Sequence, residues 1–479
     1  MRAKFLSNLF LLLILNLIVK PFWLLGVDRE VQNVLGPEQY GTYFALLNFS
    51  ILFSALLDFG VSAYNNRNIA QHQFLLSKYF PKLITIKLAL AFLYTLVMLV
   101  LAFILGYKED VIQLLLVLAL NQVLISLILF LRSNLTALLL FKKDSVISVA
   151  DKVLLILFCG GLLLYKDGVY LSIWSFILAQ TVAYGLSALL AFLFLWGQMR
   201  LKRPSFNTQS YIAIIKESYP YAILVLLMAL YSRTDALMLE RLLPNGATQA
   251  GIYAQGYRIL EAFSMIAYLF STLLLPLFAK MLKQRSDVSD LVQSALKLLY
   301  VFSIGVSITC FLFSGLIINL LYEQDTQQSI EVFGFLIFSL IPIALTYIFG
   351  TLLTAGGKLR FLNQMAVGGV VLNLILNFIL IPKYQASGAV VATLFTQGIT
   401  AAVQLIMCFK YYPLKLEASL KWKLIVFPVL VVLIGLFVQS LEFHLWSVVL
   451  MLGGVLALGV IMGLLNPKAV VQLVKSRDK

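Results

Sequence analysis

Hydrophobic runs of about 20 residues, each long enough as a helix to cross the hydrocarbon of a bilayer, follow one another from Phe5 to Leu465. Hydrocarbon offers the backbone no water to bond with, so such a chain satisfies its peptide groups internally and folds as an all-α, polytopic helical membrane protein. Composition agrees. Of 479 residues, 61% are hydrophobic and 12% charged, and the mean hydropathy is +0.97. That leaves too few polar side chains to coat a soluble globule, so lipid covers most of the surface.

About fourteen spans can be delimited, near residues 5–26, 40–64, 84–106, 111–141, 145–165, 170–196, 219–240, 251–278, 291–320, 332–353, 361–381, 389–409, 424–438 and 445–465. The two tails and every second loop hold about 25 of the 36 Lys and Arg, and the intervening loops about 5. Both termini are therefore expected in the cytoplasm, with Asp28, Glu30, Glu109, Asp110, Glu323 and Asp325 on the outer side. Trp23 and Trp446 then fall at the outer interface and Trp196 and Trp422 at the inner one, as an aromatic belt. The formal charge of +15 is dispersed over many short loops, which reads as a topology signal and excludes nucleic acid as a partner.

Met1-Arg2-Ala3-Lys4 imitates a signal peptide, but the apolar run continues past Lys20-Pro21 to Gly26 with no small-residue cleavage site, so it reads as a retained first span. Cys159, Cys310 and Cys408 lie in apolar segments and read as packing residues. His72 and His444 are the two histidines, both in expected loops, so neither a metal site nor His-based catalysis is expected. No loop exceeds about 25 residues, which leaves no room for a soluble catalytic domain, and the chain is expected not to be an enzyme.

Gly41-Thr42-Tyr43-Phe44-Ala45, entering the second span, is echoed by Gly251-Ile252-Tyr253-Ala254, entering the eighth. The offset of about 210 residues equals six spans, and both copies run in the same direction. The expected organisation is a six-helix lobe over 1–198, an amphipathic cytoplasmic linker over 199–216, a second six-helix lobe over 217–412, and two added spans with a tail over 413–479.

A charge at the centre of a bilayer costs about 2.5 to 3.5 kcal/mol, so each one raises a functional question. The candidates are Lys20, Asp58, Lys87, Arg132, Asp151, Lys152, Arg233, Asp235, Arg258 and Glu261. Lys87, Arg132, Asp151 and Lys152 lie within a few turns of the cytoplasmic face, where snorkelling is cheap. For Lys87 snorkelling is the expectation; for the other three, snorkelling and function stand level. Arg233 and Asp235 sit about 20 Å into the seventh span, and Arg258 and Glu261 about 10 to 15 Å into the oppositely directed eighth, so all four share a depth band. Arg258 and Glu261, three apart, can pair on one helix face; Arg233 and Asp235, two apart, cannot. The band reads as the wall of a polar transport cavity or as a structural salt-bridge network. Lys20 beside Pro21 is a cavity cation or a snorkelling lysine, and Asp58 before Phe59-Gly60 is a cytoplasmic gate contact or a helix-terminus cap. Asn8, Asn16, Gln122, Asn134, Gln180, Asn373 and Asn377 read as interhelical hydrogen-bonding groups.

Several strings resemble the multidrug/oligosaccharidyl-lipid/polysaccharide exporter superfamily, and within it the polysaccharide and O-antigen lipid flippases. They are Leu35-Gly36-Pro37-Glu38-Gln39-Tyr40-Gly41-Thr42-Tyr43, Asp58-Phe59-Gly60 and Arg67-Asn68-Ile69-Ala70, then Asp235, Gly251-Ile252-Tyr253-Ala254, Gly256-Tyr257-Arg258 and Pro276. Asn373, Asn377, Ile381-Pro382 and Ser387-Gly388-Ala389 follow. The resemblance implies two six-helix lobes in a V, plus two extra helices, alternating between inward and outward openings. It also implies a bacterial inner-membrane flippase, active as a monomer and working beside glycan polymerase and chain-length machinery. The substrate it implies is an undecaprenyl-pyrophosphate-linked oligosaccharide, the repeat unit of lipopolysaccharide or capsule, moved from the cytoplasmic to the periplasmic leaflet.

A pyrophosphate bearing sugars is far too polar to cross hydrocarbon unaided, so a carrier supplies cations and hydrogen bonds in a wet cavity while the lipid tail stays in the membrane. Arg233, Arg258, Lys20, Arg132 and Lys152 are the expected substrate-binding residues, guanidinium being suited to bidentate contact with phosphate oxygens. Asp235, Glu261, Asp58 and Asp151 are the expected coupling and gating residues, balancing the empty cavity or binding the H⁺ or Na⁺ that drives the return step. No other cofactor is expected. The competing readings are a drug/cation antiporter of the same superfamily, which favours an acid-dominated cavity, and a membrane glycan polymerase or ligase, which needs a larger outer loop than this chain has.

Overall fold

The computed structural model describes residues 14–62, 76–165, 169–196, 208–324, 326–441 and 445–465. The chain's first four residues, Asn8, Asn65, Asn66, the string Arg67 to Ala70, His72, Asp325, His444, linker residues 199–207 and the tail from 466 lie outside them. Among the described residues the chain is helical with no strand, and eleven helices are long and apolar enough to cross a membrane, with Trp446–Ile461 shorter. By internal packing the chain divides into one unit over Met1–Gly251 and another over Ile252–Lys479.

The first unit opens with a helix α1 over 14–22, followed by a π turn at Trp23–Asp28 and then α2, Arg29–Leu52. Pro21 withholds an N–H from this helix, and the wider π turn follows directly, as expected where the i→i−4 ladder is interrupted. Helix α2 contains a true break at Gly36 (φ 73, ψ 169), a conformation that favours glycine, and Pro37 restarts the helix with its fixed φ. The loop expected before residue 40 is therefore helical almost throughout. Asp28, within it, is buried at 1% exposure, and Trp23, at the end of the expected first span, is 6% exposed and stacks on Phe176. The expected second span is likewise interrupted, by turns at Phe53–Ser54 and Phe59–Gly60 on either side of the short α3, Ala55–Asp58.

Helices α4 (Leu76–Ile104), α5 (Glu109–Ala137), α6 (Phe141–Leu164) and α7 (Ile173–Trp196) follow as the sequence predicts. They pack chiefly as α5 on α7, α6 on α7 and α2 on α5. Helix α8, Thr208–Leu242, begins well before the expected span at 219, so the second half of the expected linker is the first turns of this helix. It packs on α2. Gly246 opens α9, Gly246–Lys283, in a tight turn where a Cβ would stand 2.5 Å from the Leu239 carbonyl oxygen.

The second unit takes up the rest of α9 and continues with α10 (Ser289–Leu312), α11 (Ser314–Leu321), α12 (Gln327–Leu336), α13 (Leu340–Ala355) and α14 (Leu359–Tyr411). At 53 residues α14 would be about 80 Å long if straight, more than twice the hydrocarbon thickness. It contains a break at Gln385 (φ 55, ψ −133), three residues after Pro382, in place of the expected loop between 381 and 389. α13 packs on α14 and on α10. α15 (Ala418–Gln439) and α16 (Leu445–Ile461) pack on each other and on α10. Outside the helices, Glu417 ties this pair down: its carboxylate takes Lys297 Nζ at 3.2 Å, and with Gln293 this holds it below the usual carboxylate range. Many large apolar side chains are exposed, among them Phe92, Phe103, Phe378, Phe395, Trp422 and Trp446, which suits a surface facing lipid.

Candidate functional site

In the first unit, α1, α5 and α6 bring together four of the expected site residues. Half-buried Lys20 lies within electrostatic reach of Asp151, Lys152 and Arg132. Lys152 Nζ lies 3.2 Å from Asp151 and over the Tyr184 ring, 5.3 Å from its centroid. Arg132 grips Asp144 with two bonds, Nε to Oδ1 at 2.7 Å and Nη2 to Oδ2 at 3.3 Å. Asn16 Nδ2 donates to Ser148 Oγ at 2.9 Å, fixing α1 beside α6. Three cations thus share this region with two carboxylates. Asp144 was not among the expected site residues, because it sits at the start of α6 beside Lys142 and Lys143 and reads as part of a solvated loop.

Two further acids of this unit are engaged. Asp28 accepts from Tyr40 Oη at 2.7 Å. Asp58 pairs with Lys87, whose Nζ also donates to the Leu57 carbonyl at 3.1 Å and to Ser126 Oγ at 2.9 Å. Lys87 is 7% exposed, so it does not snorkel; it closes the C-terminal end of α3, where the free carbonyls carry partial negative charge. A cavity of about 150 Å³ beside it is lined by Leu57, Ile84, Lys87, Ala91, Val123 and Ser126 among others. Arg233, on α8, donates from Nη1 to Asn48 Oδ1 of α2 at 3.5 Å. Asp235 is buried at 1% exposure.

In the second unit Arg258, 6% exposed, donates from Nη1 to Glu261 Oε2 at 2.9 Å, the i,i+3 pair that the spacing predicts. Asn377 Nδ2 donates to Asn373 Oδ1 at 3.1 Å, both fully buried, and Tyr253 Oη meets Thr393 Oγ1 at 3.3 Å. Arg233 and Asp235 belong to the first unit and Arg258 and Glu261 to the second. Chemically these are binding groups: fixed cations, carboxylates beside them, and neutral amides able to donate or accept.

A family described as "polysaccharide biosynthesis protein" matches residues 5–282 of the chain. No curated protein matches it in sequence. Among solved structures it is similar to the lipid II flippase MurJ in an inward closed conformation, at 18% identity and TM-score 0.70, over 96% of this chain and 97% of that one. A multidrug resistance MATE family transporter of the MOP superfamily, in an inward-facing conformation, is 16% identical with TM-score 0.64, over 83% and 93%. A MOP superfamily transporter from Pyrococcus furiosus, described as having a binding pocket of reversed polarity, is 15% identical with TM-score 0.62, over 85% and 94%. The fold is the one these solved structures share.

Proposed function

The chain belongs to the polysaccharide biosynthesis protein family, and from that premise we propose that it is a flippase for undecaprenyl-pyrophosphate-linked oligosaccharide, carrying the repeat unit from the cytoplasmic to the periplasmic leaflet by alternating access. The observation that carries this reading is the cluster of Lys20, Arg132 and Lys152 around Asp151 and Asp144, a partly buried site with more cations than carboxylates inside a lipid-facing bundle. Such a site suits a di-anionic headgroup, whereas a cationic drug needs acids in the majority. Arg233 and Arg258 complete the path in this reading, and Asp235, Glu261, Asp58 and Asp151 balance their charge or take up the H⁺ or Na⁺ that resets the carrier. The organisation that goes with it is two lobes over 1–198 and 217–412 in the bacterial inner membrane, both termini cytoplasmic. Glycan polymerase and chain-length proteins take over the product.

Deleting the gene is expected to accumulate lipid-linked repeat units on the cytoplasmic side, and Arg233→Ala or Arg258→Ala to abolish surface glycan while the protein stays in the membrane at wild-type level. Immunoblotting for glycan and for the protein in the same cells reads both. Wild-type glycan in both variants refutes the cavity assignment. Unpolymerised units reaching the periplasm of the deletion strain would transfer the case to a polymerase, and lost drug resistance with intact glycan to an antiporter.

A further inference from the structure

The two glycines that open the internal echo lie against each other. A Cβ at Gly41 would overlap the Ala247 carbonyl oxygen and stand 2.6 Å from the Gly251 nitrogen. A Cβ at Gly251 would overlap the Pro37 carbonyl oxygen and stand 2.8 Å from the Pro37 Cα. The helical turn begun by Pro37 and the opening turns of α9 thus cross backbone to backbone, and each echo copy supplies the glycine that admits the other. Such a crossing is close-fitting but shallow. It rests on dispersion and weak Cα–H···O contacts, with no interlocked side chains to withdraw, so it can part and re-form as a unit.

A polar latch lies on the same hairpin. Tyr107, on the turn between α4 and α5, donates from Oη to Glu240 Oε2 at 3.0 Å. The Arg241 guanidinium lies over the Tyr107 ring, 3.4 Å from its centroid, and forms an ion pair with Glu240, its Nε 3.0 Å from Oε2. Glu240 and Arg241 end α8, and Gly246 turns the chain at once into α9, so the latch and the glycine crossing are two attachments of one tight hairpin. We propose that the α8–α9 hairpin is the door at the outward end of the transport path, the Gly41–Gly251 crossing its seam and Tyr107 with Glu240 and Arg241 its latch. This rests on the alternating-access reading above and on the loop charges that turn this end outward. The seam determines how closely the door shuts, and the latch biases the balance between shut and open.

The test places spin labels on Lys108→Cys and Asn245→Cys, two exposed positions across the latch, in a background with Cys159, Cys310 and Cys408 replaced by alanine, and measures distances in lipid nanodiscs without substrate. Wild type should show a short distance in the majority. Gly41→Val and Gly251→Val should shift the distribution to a longer distance. Tyr107→Phe should raise the long-to-short ratio about tenfold, the factor commanded by one hydrogen bond to a charged partner. If the glycine variants fail to fold, Tyr107→Phe and Arg241→Gln decide alone. Unchanged distances in the folded variants overturn the proposal. Bridging the two cysteines with a reducible bis-thiol reagent should stop glycan export and reduction should restore it; full export through a bridged door also overturns the proposal. Distances that respond as expected in a protein that exports no glycan uphold the door and sink the flippase reading instead.

Discussion

Arg132 and Asp144 are the clearest case of a charge held in place by another charge. Two hydrogen bonds in fork geometry join them, and Asp144 is 2% exposed, so neither group meets much water when its partner is taken away. Removing one partner of such a pair leaves an uncompensated charge in a poorly hydrated site. Asp144→Asn is therefore expected to lower stability by about 2 to 3 kcal/mol, read as a fall in thermal midpoint of the detergent-solubilised protein. Arg132→Met combined with Asp144→Leu should recover most of the loss. An Asp144→Asn protein that melts with wild type would show the pair to be incidental. Spacing alone predicts Arg258–Glu261, because three residues on one helix determine a distance. It does not predict Arg132–Asp144 or Lys87–Asp58. Those partners stand 12 and 29 residues apart, and what brings them together is the packing of different helices, which depth along a single span does not encode.

At the level of elements, run length and apolar content suffice to place the long helices, since the bilayer imposes both. The interruptions escape the same reasoning. The π turn at Trp23–Asp28, the break at Gly36 and the break at Gln385 all lie inside stretches whose composition is uniformly compatible with helix, or replace loops by kinks of one residue. Gly36-Pro37 carries a local signal; Gln385 carries none. Helix α9 ends in a similar irregularity that can be improved. Arg285 is exposed with φ 54, at the position after the last helical turn, and the Ser286 N–H returns to the Met281 carbonyl at 2.9 Å, the hydrogen bond of a Schellman ending. An L side chain is strained there and glycine is not. Arg285→Gly should raise stability by about 0.5 to 1 kcal/mol, the relief being partly offset by the freer unfolded chain, with a matching rise in thermal midpoint. A lower midpoint would mean that the arginine makes a contact worth more than the strain.

Across the whole molecule, the sequence conveys class and family well because both are written in features that survive without three-dimensional knowledge: the apolar runs, the short loops and the ordered motif strings. It conveys the site less well. Lys20, Arg132, Asp151 and Lys152 do come together, but their number and sign mean little until Asp144 and Tyr184 are seen beside them. Orientation is the molecular property on which the proposed direction of transport depends, and it follows from a single asymmetry, the Lys and Arg that crowd alternate loops. Single cysteines in the cysteine-free background turn that asymmetry into a measurement. Lys108→Cys and Asn245→Cys, on sparsely basic turns, should react with a membrane-impermeant maleimide in spheroplasts. Arg285→Cys and Lys415→Cys, on basic connections, should react only after permeabilisation. All four positions are exposed, so a failure to label reflects the side of the membrane and not burial. Reaction of the second pair in intact spheroplasts would invert the protein, and the α8–α9 hairpin would then close the cytoplasmic end of the path.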